Sequence, residues 1–425
     1  IYSLGALTIS DSHFENNVAG LSGGAIGGAF SDFNISTTTF KNNTANAGGA
    51  IWFTETGNML ITKSVFEGNN SLSTTETVGG AAIRYQGTGT LQITDTVFKN
   101  NTAAGSGGAI SNTGSGAVTI TDSSFIGNNA GIGAAICSYA GTTTINNGVF
   151  DNNSASNFSI IRLENSGSTL NLNVEIGKSM LFTNNTSPYG SVVGIGGGSA
   201  YINIEEGGAM IFEKNTADSA MAFDSSGSVI SGATGSLLEF SNNVFNKSAF
   251  NFKNSVEIEL DTIRFYSNES LSNGAAIILN YGYNVTINAA RAEFINNTSQ
   301  DKGGAIYNSG TLSLTNAIFK GNTAYDGGAI ENSGTLVISN SIFEENIANN
   351  NAGAIVNRNG AVATLINTSF YDNKTKWGSG GFTNYGTLNL IADNGLSEFK
   401  GNIRTGDNDF RSCLLYTSPS PRDTE

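Results

Sequence analysis

Residues 319–346 read FKGNTAYDGGAIENSGTLVISNSIFEEN, a stretch that opens and closes on the same phrase. Phe319 is followed three residues on by Asn322, then comes Gly327-Gly328-Ala329-Ile330, and Phe343 with Asn346 begins again. Such self-similarity marks a repeat architecture, whose units cannot bury an apolar face alone and must stack. The Phe-x-x-Asn pair occurs at Phe14 and Asn17, Phe40 and Asn43, Phe66 and Asn69, Phe98 and Asn101, and Phe125 and Asn128. It returns at Phe294 and Asn297, Phe319 and Asn322, Phe343 and Asn346, and Phe370 and Asn373, with further copies from Phe150, Phe182, Phe212, Phe240, Phe265 and Phe399. Fifteen of the 25 Phe carry it, at spacings of 24 to 32 residues, far more often than an Asn-rich composition supplies by chance.

The segment before each Phe alternates, as in Thr311-Leu312-Ser313-Leu314-Thr315, which is the pattern of a half-buried strand. Asn-Ser-Gly and Asn-Tyr-Gly mark the turns, and no stretch carries a helical apolar period. The expected fold is all-β, a single parallel β-helix of about fifteen coils. With strands about 4.8 Å apart from coil to coil, the rod would be about 70 Å long. A residue type fixed at one point of the period then becomes a column. Phe rings would stack inside, and Asn amides would form a ladder at a corner, pairing with backbone groups the turn leaves open. Gly-Gly would permit a corner that a Cβ obstructs.

Crisp repeats cover residues 1–155 and 290–402 of a repeat domain expected to span 1–411. Between about 156 and 273 the Phe-x-x-Asn anchors continue but Gly-Gly-Ala-Ile is largely lost. Pro188 and the run Gly194-Ile195-Gly196-Gly197-Gly198 fall there, read as drifted coils with longer loops or as a displayed loop or groove. Residues 412–425 break the pattern, and the run from Cys413 to Asp423 matches the translation of a sequencing-library adaptor. They are set aside as an expected artefact without ordered structure. The sequence starts at Ile1 inside a strand pattern and is expected to be a piece of a longer chain. Setting Cys413 aside leaves Cys137 alone, read as a small wall filler without a disulfide partner.

The formal charge is −14 with only 13% charged residues and no basic patch, which argues against nucleic acid. No run approaches the roughly 20 apolar residues of a membrane helix. Carboxylates three residues before the anchors, Asp11, Asp95 and Asp122, could pair between coils for acid–base work. The same column holds Asn147, Asn316, Asn340 and Asn367, so a turn-forming column is the better account. Glu205, Glu206, Glu257, Glu259 and the only histidine, His13, read as solvated. No catalytic, cofactor or metal site is expected.

With both tetrapeptides placed, the chain resembles the polymorphic outer membrane proteins of chlamydiae, whose hallmark is repeated Gly-Gly-Ala-Ile and Phe-x-x-Asn. The resemblance covers about residues 1–402. It implies a right-handed β-helix passenger of an autotransporter, at the cell surface, in the outer membrane or secreted, acting as an adhesin. It also implies attachment roles for the tetrapeptides, here Gly23-Gly24-Ala25-Ile26, Gly303-Gly304-Ala305-Ile306 and Gly327-Gly328-Ala329-Ile330. Expected partners are a host-cell receptor or glycan, with a membrane only through segments outside this sequence. Trp52, Tyr85, Tyr307, Trp377 and Tyr385 are candidate contact residues, with packing in the coil wall an equal reading for each. The alternative is a β-helix polysaccharide lyase or glycoside hydrolase.

Overall fold

One coil serves for all. Strand Thr311–Thr315 buries Leu312 and Leu314 and turns its Thr and Ser outward, as alternation requires. Asn316 follows in a left-handed conformation (φ 53°), which lets the chain bend at once into strand Ala317–Lys320, where Phe319 points inward. Gly321, also left-handed, and Asn322 make the next corner, and a two-residue strand, Thr323–Ala324, leads to the Gly-Gly corner. Strand Ile330–Asn332 closes the coil. Each strand pairs in parallel with its counterpart one coil away: Leu312 with Leu336, Phe319 with Phe343, Ile306 with Ile330.

A computed structural model describes residues 1–223, 228–393 and 395–406. The chain is a right-handed parallel β-solenoid of about 15 turns, 57% strand, with no helix among the described residues. The first two strands of each coil lie in one sheet and the last two in another, and the apolar core runs between them from coil to coil. The artefact expected at 412–425 lies outside the described residues, as do 407–411 of the expected repeat domain.

The two glycines of a corner have different reasons. Gly327 sits at φ 59°, and a Cβ there would lie 2.3 Å from the Ile330 carbonyl oxygen. Gly328 has no such φ, but a Cβ on it would lie 2.0 Å from the carbonyl oxygen of Gly353 in the next coil. One glycine turns the chain, and the other lets two coils approach.

The region 156–273 differs from expectation. In three of its coils the chain runs straight through the corner, as strands Thr186–Ile195, Thr216–Phe223 and Val244–Phe252. No residue there is left-handed, so the backbone stays extended where elsewhere it folds back. Pairing stays parallel, with register irregularities at Ser187/Ser191 and Ala217/Ser219. Longer strands, not longer loops, replace the motif in these coils. Strands Val256–Tyr266 and Asn284–Ile295 likewise run through the Asp/Asn turn where its left-handed residue is missing.

Candidate functional site

The columns are continuous. Ring centroids of successive anchors lie 5.0 Å apart from Phe14 to Phe40, 4.8 Å from Phe98 to Phe125, 4.5 Å from Phe319 to Phe343 and 4.7 Å from Phe370 to Phe399, with planes nearly parallel. The amides form a ladder alongside. Asn69 Oδ1 accepts from both the backbone N–H and Nδ2 of Asn43, while its own Nδ2 donates to Asn101 Oδ1 and to the Phe40 carbonyl. One side chain thus ties three coils. The ladder starts at Asn17 and continues without a break through the altered middle to Asn402. Phe14 and Asn17, at the first coil, are partly buried. The other anchors, Phe40, Asn43, Phe66, Asn69, Phe98, Asn101, Phe125, Asn128, Phe294, Asn297, Phe319, Asn322, Phe343, Asn346, Phe370 and Asn373, are fully buried. They hold the wall and offer no surface to a partner.

The Gly-Gly-Ala-Ile quartets are also in the wall. Ala25, Ile26, Ala305, Ile306, Ala329 and Ile330 are buried, with Gly23, Gly303, Gly304, Gly327 and Gly328, and Gly24 is half-buried. Any attachment role for them runs through the loop each corner shapes. Of the aromatic contact candidates, Trp377 and Tyr385 are exposed, while Tyr307 and Trp52 are half-buried, the latter donating to Gln86 Oε1 at 2.6 Å. Tyr85 takes the wall-packing alternative: it is fully buried and stacks on Phe53 at 5.3 Å. It lies two residues after Ile83 on one strand, so both face the core. Tyr325, just before a corner, is exposed and was not anticipated.

Two further columns escaped the sequence reading. The residue two after each anchor Phe is left-handed, an Asn or Asp in most coils, as at Asn16, Asn42, Asn100, Asn296 and Asp372, a glycine at Gly68, Gly127, Gly321 and Gly401, and otherwise Lys214, Ser267 or Glu345. A second amide ladder runs from Asn308 through Asn332 and Asn357 to Asn384, with links of 2.7, 2.7 and 2.8 Å. Its Asn332 Oδ1 also accepts from the Gly334 N–H, closing the turn.

The charged candidates are turn or surface groups. Asp11, Asp95 and Asp122 are left-handed, as are Asn147, Asn316, Asn340 and Asn367 in their column. Asp122 and Glu175 share Lys178, at 2.8 and 2.9 Å. Glu206, Glu257 and Glu259 are exposed, Glu205 is half-buried, and His13 lies exposed 3.1 Å from Glu15. Cys137 is fully buried, and burial pushes its thiol up to about 12, so it is inert at neutral pH. Among the described residues no cluster of three metal-binding side chains occurs.

Arg358 bridges two acids, Asp326 at 2.5 Å and Glu331. Burial would raise Asp326, but hydrogen bonds from Arg358, Asn351 and Asn350 outweigh it and hold the carboxyl low. Glu331 keeps one oxygen without a partner, and burial lifts it to about 7 despite Arg358. Carboxylates pushed apart in this way suit an acid–base pair, but both are buried, at 6% and 1% exposure, where a substrate has no access.

Stability should carry the sign of Glu331. The folded value lies above the ordinary 4.5, so the folded state keeps a proton that the unfolded chain releases. That stabilisation is complete below about pH 4.5 and is lost as pH rises through about 7. Glu331→Gln is expected to change little at pH 5 and to stabilise its coil by about 1–3 kcal/mol at pH 8. Hydrogen exchange of the 330–332 amides at the two pH values would show it. Equal exchange in both proteins at pH 8 would contradict it.

The family model described as the Chlamydia polymorphic membrane protein repeat matches residues 37–54, 95–113 and 292–309. The chain carries the chlamydial polymorphic membrane protein repeat. Each match takes in an anchor strand, its ladder Asn, the Gly-Gly corner and all or most of the strand beyond, so the repeat covers the larger part of a coil. No curated protein and no solved structure matches the chain.

Proposed function

We propose that this chain is the non-catalytic passenger of a surface protein and acts as an adhesin. The repeat and the solenoid fit a surface-exposed autotransporter passenger. The observation that carries the reading is the unbroken pair of columns, which makes a stiff rod. A rod of this kind holds corner loops away from a cell, and Tyr325, Trp377 and Tyr385 are exposed on such loops. The partner would be a host-cell receptor or glycan, and no cofactor is required. Among the described residues no helix is long and apolar enough to cross a membrane, so any anchor by helix would come from other segments. The paired acids do not favour catalysis: Asp326 and Glu331 are buried, and Asp122 and Glu175 are both ion-paired with Lys178.

Beads coated with the purified chain should bind epithelial cells, and the soluble chain should compete. Replacing Tyr325, Trp377 and Tyr385 together by alanine should weaken attachment by roughly tenfold or more. Beads that bind no better than an inert protein coat would refute the proposal. So would release of shorter products when the chain is incubated with pectin or host glycans.

A further inference from the structure

One outward-facing column crosses the second sheet. It passes in register through Ser111, Cys137, Arg162, Gly194, Ala222, Asn251, Ile278, Tyr307, Glu331 and Val356. Where the coils turn at a corner that holds at least one glycine, Ser111, Cys137, Glu331 and Val356 are covered although they face away from the core, and Tyr307 is half-buried. Where the straight coils begin, Arg162 of the last turning coil lines an open groove of about 190 Å³ together with Ala222 and Asn251 of the straight ones. The altered middle of the rod is therefore where this face becomes reachable.

The groove gathers residues that are scarce in this protein. Arg162 and Lys247 line it, with Lys253 at one end, in a chain of net charge −14. Two aromatics flank them, Phe158 at 40% and Tyr189 at 78% exposure. Arg162 is firmly held. Its Nε and Nη2 donate to the two oxygens of Glu164 at 3.0 and 3.1 Å, and its guanidinium lies 5.0 Å from the Phe158 ring centroid. The glycine run makes room for it: a Cβ would come within 3.3 Å of Nη1 at Gly194 and 2.4 Å of Nη2 at Gly196. The side chain is 15% exposed, and Nη1 has no hydrogen-bond partner among the described residues. Lys247 is paired with Asp218 at 2.7 Å, and Asn251 is buried on the groove floor.

We propose that this groove binds an acidic carbohydrate, with Arg162 taking a sugar carboxylate and Tyr189 packing on the apolar face of the ring. A rigid, partly buried guanidinium with a free edge suits a planar carboxylate. An exposed aromatic beside it supplies the apolar contact a sugar ring needs, and Asp218, Asn251 and Lys247 supply hydroxyl partners. The groove lies along the rod, so an oligosaccharide can run across several coils. This deepens the attachment reading and rests on it for biological meaning, while the site itself is tested with purified sugars.

Isothermal titration of the full chain with trigalacturonate, its methyl ester, maltotriose and a sulfated neutral oligosaccharide tests the assignment. Trigalacturonate should bind, and the ester and the neutral sugar should bind roughly tenfold more weakly or worse. Arg162→Gln should lose roughly tenfold or more. Tyr189→Ala removes an exposed ring that the fold does not need, and should weaken binding severalfold with unchanged thermal unfolding. Comparable binding of the ester, tighter binding of the sulfated sugar, no binding at millimolar concentration, or indifference to Tyr189→Ala would each overturn the proposal. If the unmodified chain attaches to cells but binds no trigalacturonate, the groove assignment falls and the adhesin reading stands.

Discussion

Asn322→Ala is expected to be among the most destabilising single substitutions in the rod. Asn322 Oδ1 accepts from the N–H and Nδ2 of Asn297 at 3.0 and 3.1 Å, and its Nδ2 donates to the Phe294 carbonyl at 2.8 Å and to Asn346 Oδ1 at 2.9 Å. All of these side chains are fully buried. Alanine would strand two donors and one acceptor where water does not reach, and thin the hydrogen bonding of another. At about 1–3 kcal/mol for each orphaned group, and allowing for partial relaxation, the loss should be about 4 kcal/mol. Asn322→Asp should be no better at neutral pH, because a carboxylate keeps the acceptor and loses both donors. Since coils contact mainly their neighbours, damage should appear locally, as faster hydrogen exchange at the 297, 322 and 346 amides before the rest of the rod. Protection at those amides equal to the unmodified chain would refute a structural role for the ladder.

Phe125→Ala should cost a similar amount by a different route. The Phe125 ring lies 4.8 Å from Phe98 and 5.0 Å from Phe150, both nearly parallel to it, and is fully buried. Its removal leaves a cavity between two stacked rings, for which about 3–5 kcal/mol is usual. The Phe125 backbone carbonyl still accepts from Asn153, so the amide ladder is untouched and the two columns are probed separately. A rod with one weakened interface should unfold in two steps on denaturant titration, because the halves remain intact. A single transition at the unmodified midpoint would show that the buried ring contributes nothing to stability. Combined with Asn322→Ala, many coils away, the losses should add.

Much of this was legible because repetition turns a sequence position into a place in space. Phe319 and Phe343 had to stack once their strands paired in register, and Asn322 and Asn346 had to meet beside them. The turn column of Asp95, Asp122 and Asn316 was legible too, since Asp and Asn tolerate the left-handed backbone found there. The second amide ladder was harder to see. Asn332 looks like an ordinary Asn-Ser-Gly turn residue, and only the coil above brings Asn357 to 2.7 Å. For Tyr85 the sequence left contact and wall packing both open, and its inward phase on the strand decides for packing.

The residues alone determined the all-β solenoid, its two main columns and its corners, since each depends on local backbone chemistry and a fixed period. Which outward side chains are reachable was decided only in three dimensions. Glu331 and Arg162 share one column and one strand phase, yet the first is sealed and raised to about 7 while the second lines a groove. The difference comes from whether the chain turns at a glycine corner or runs straight in the surrounding coils, a contact between residues far apart in sequence that no single repeat records.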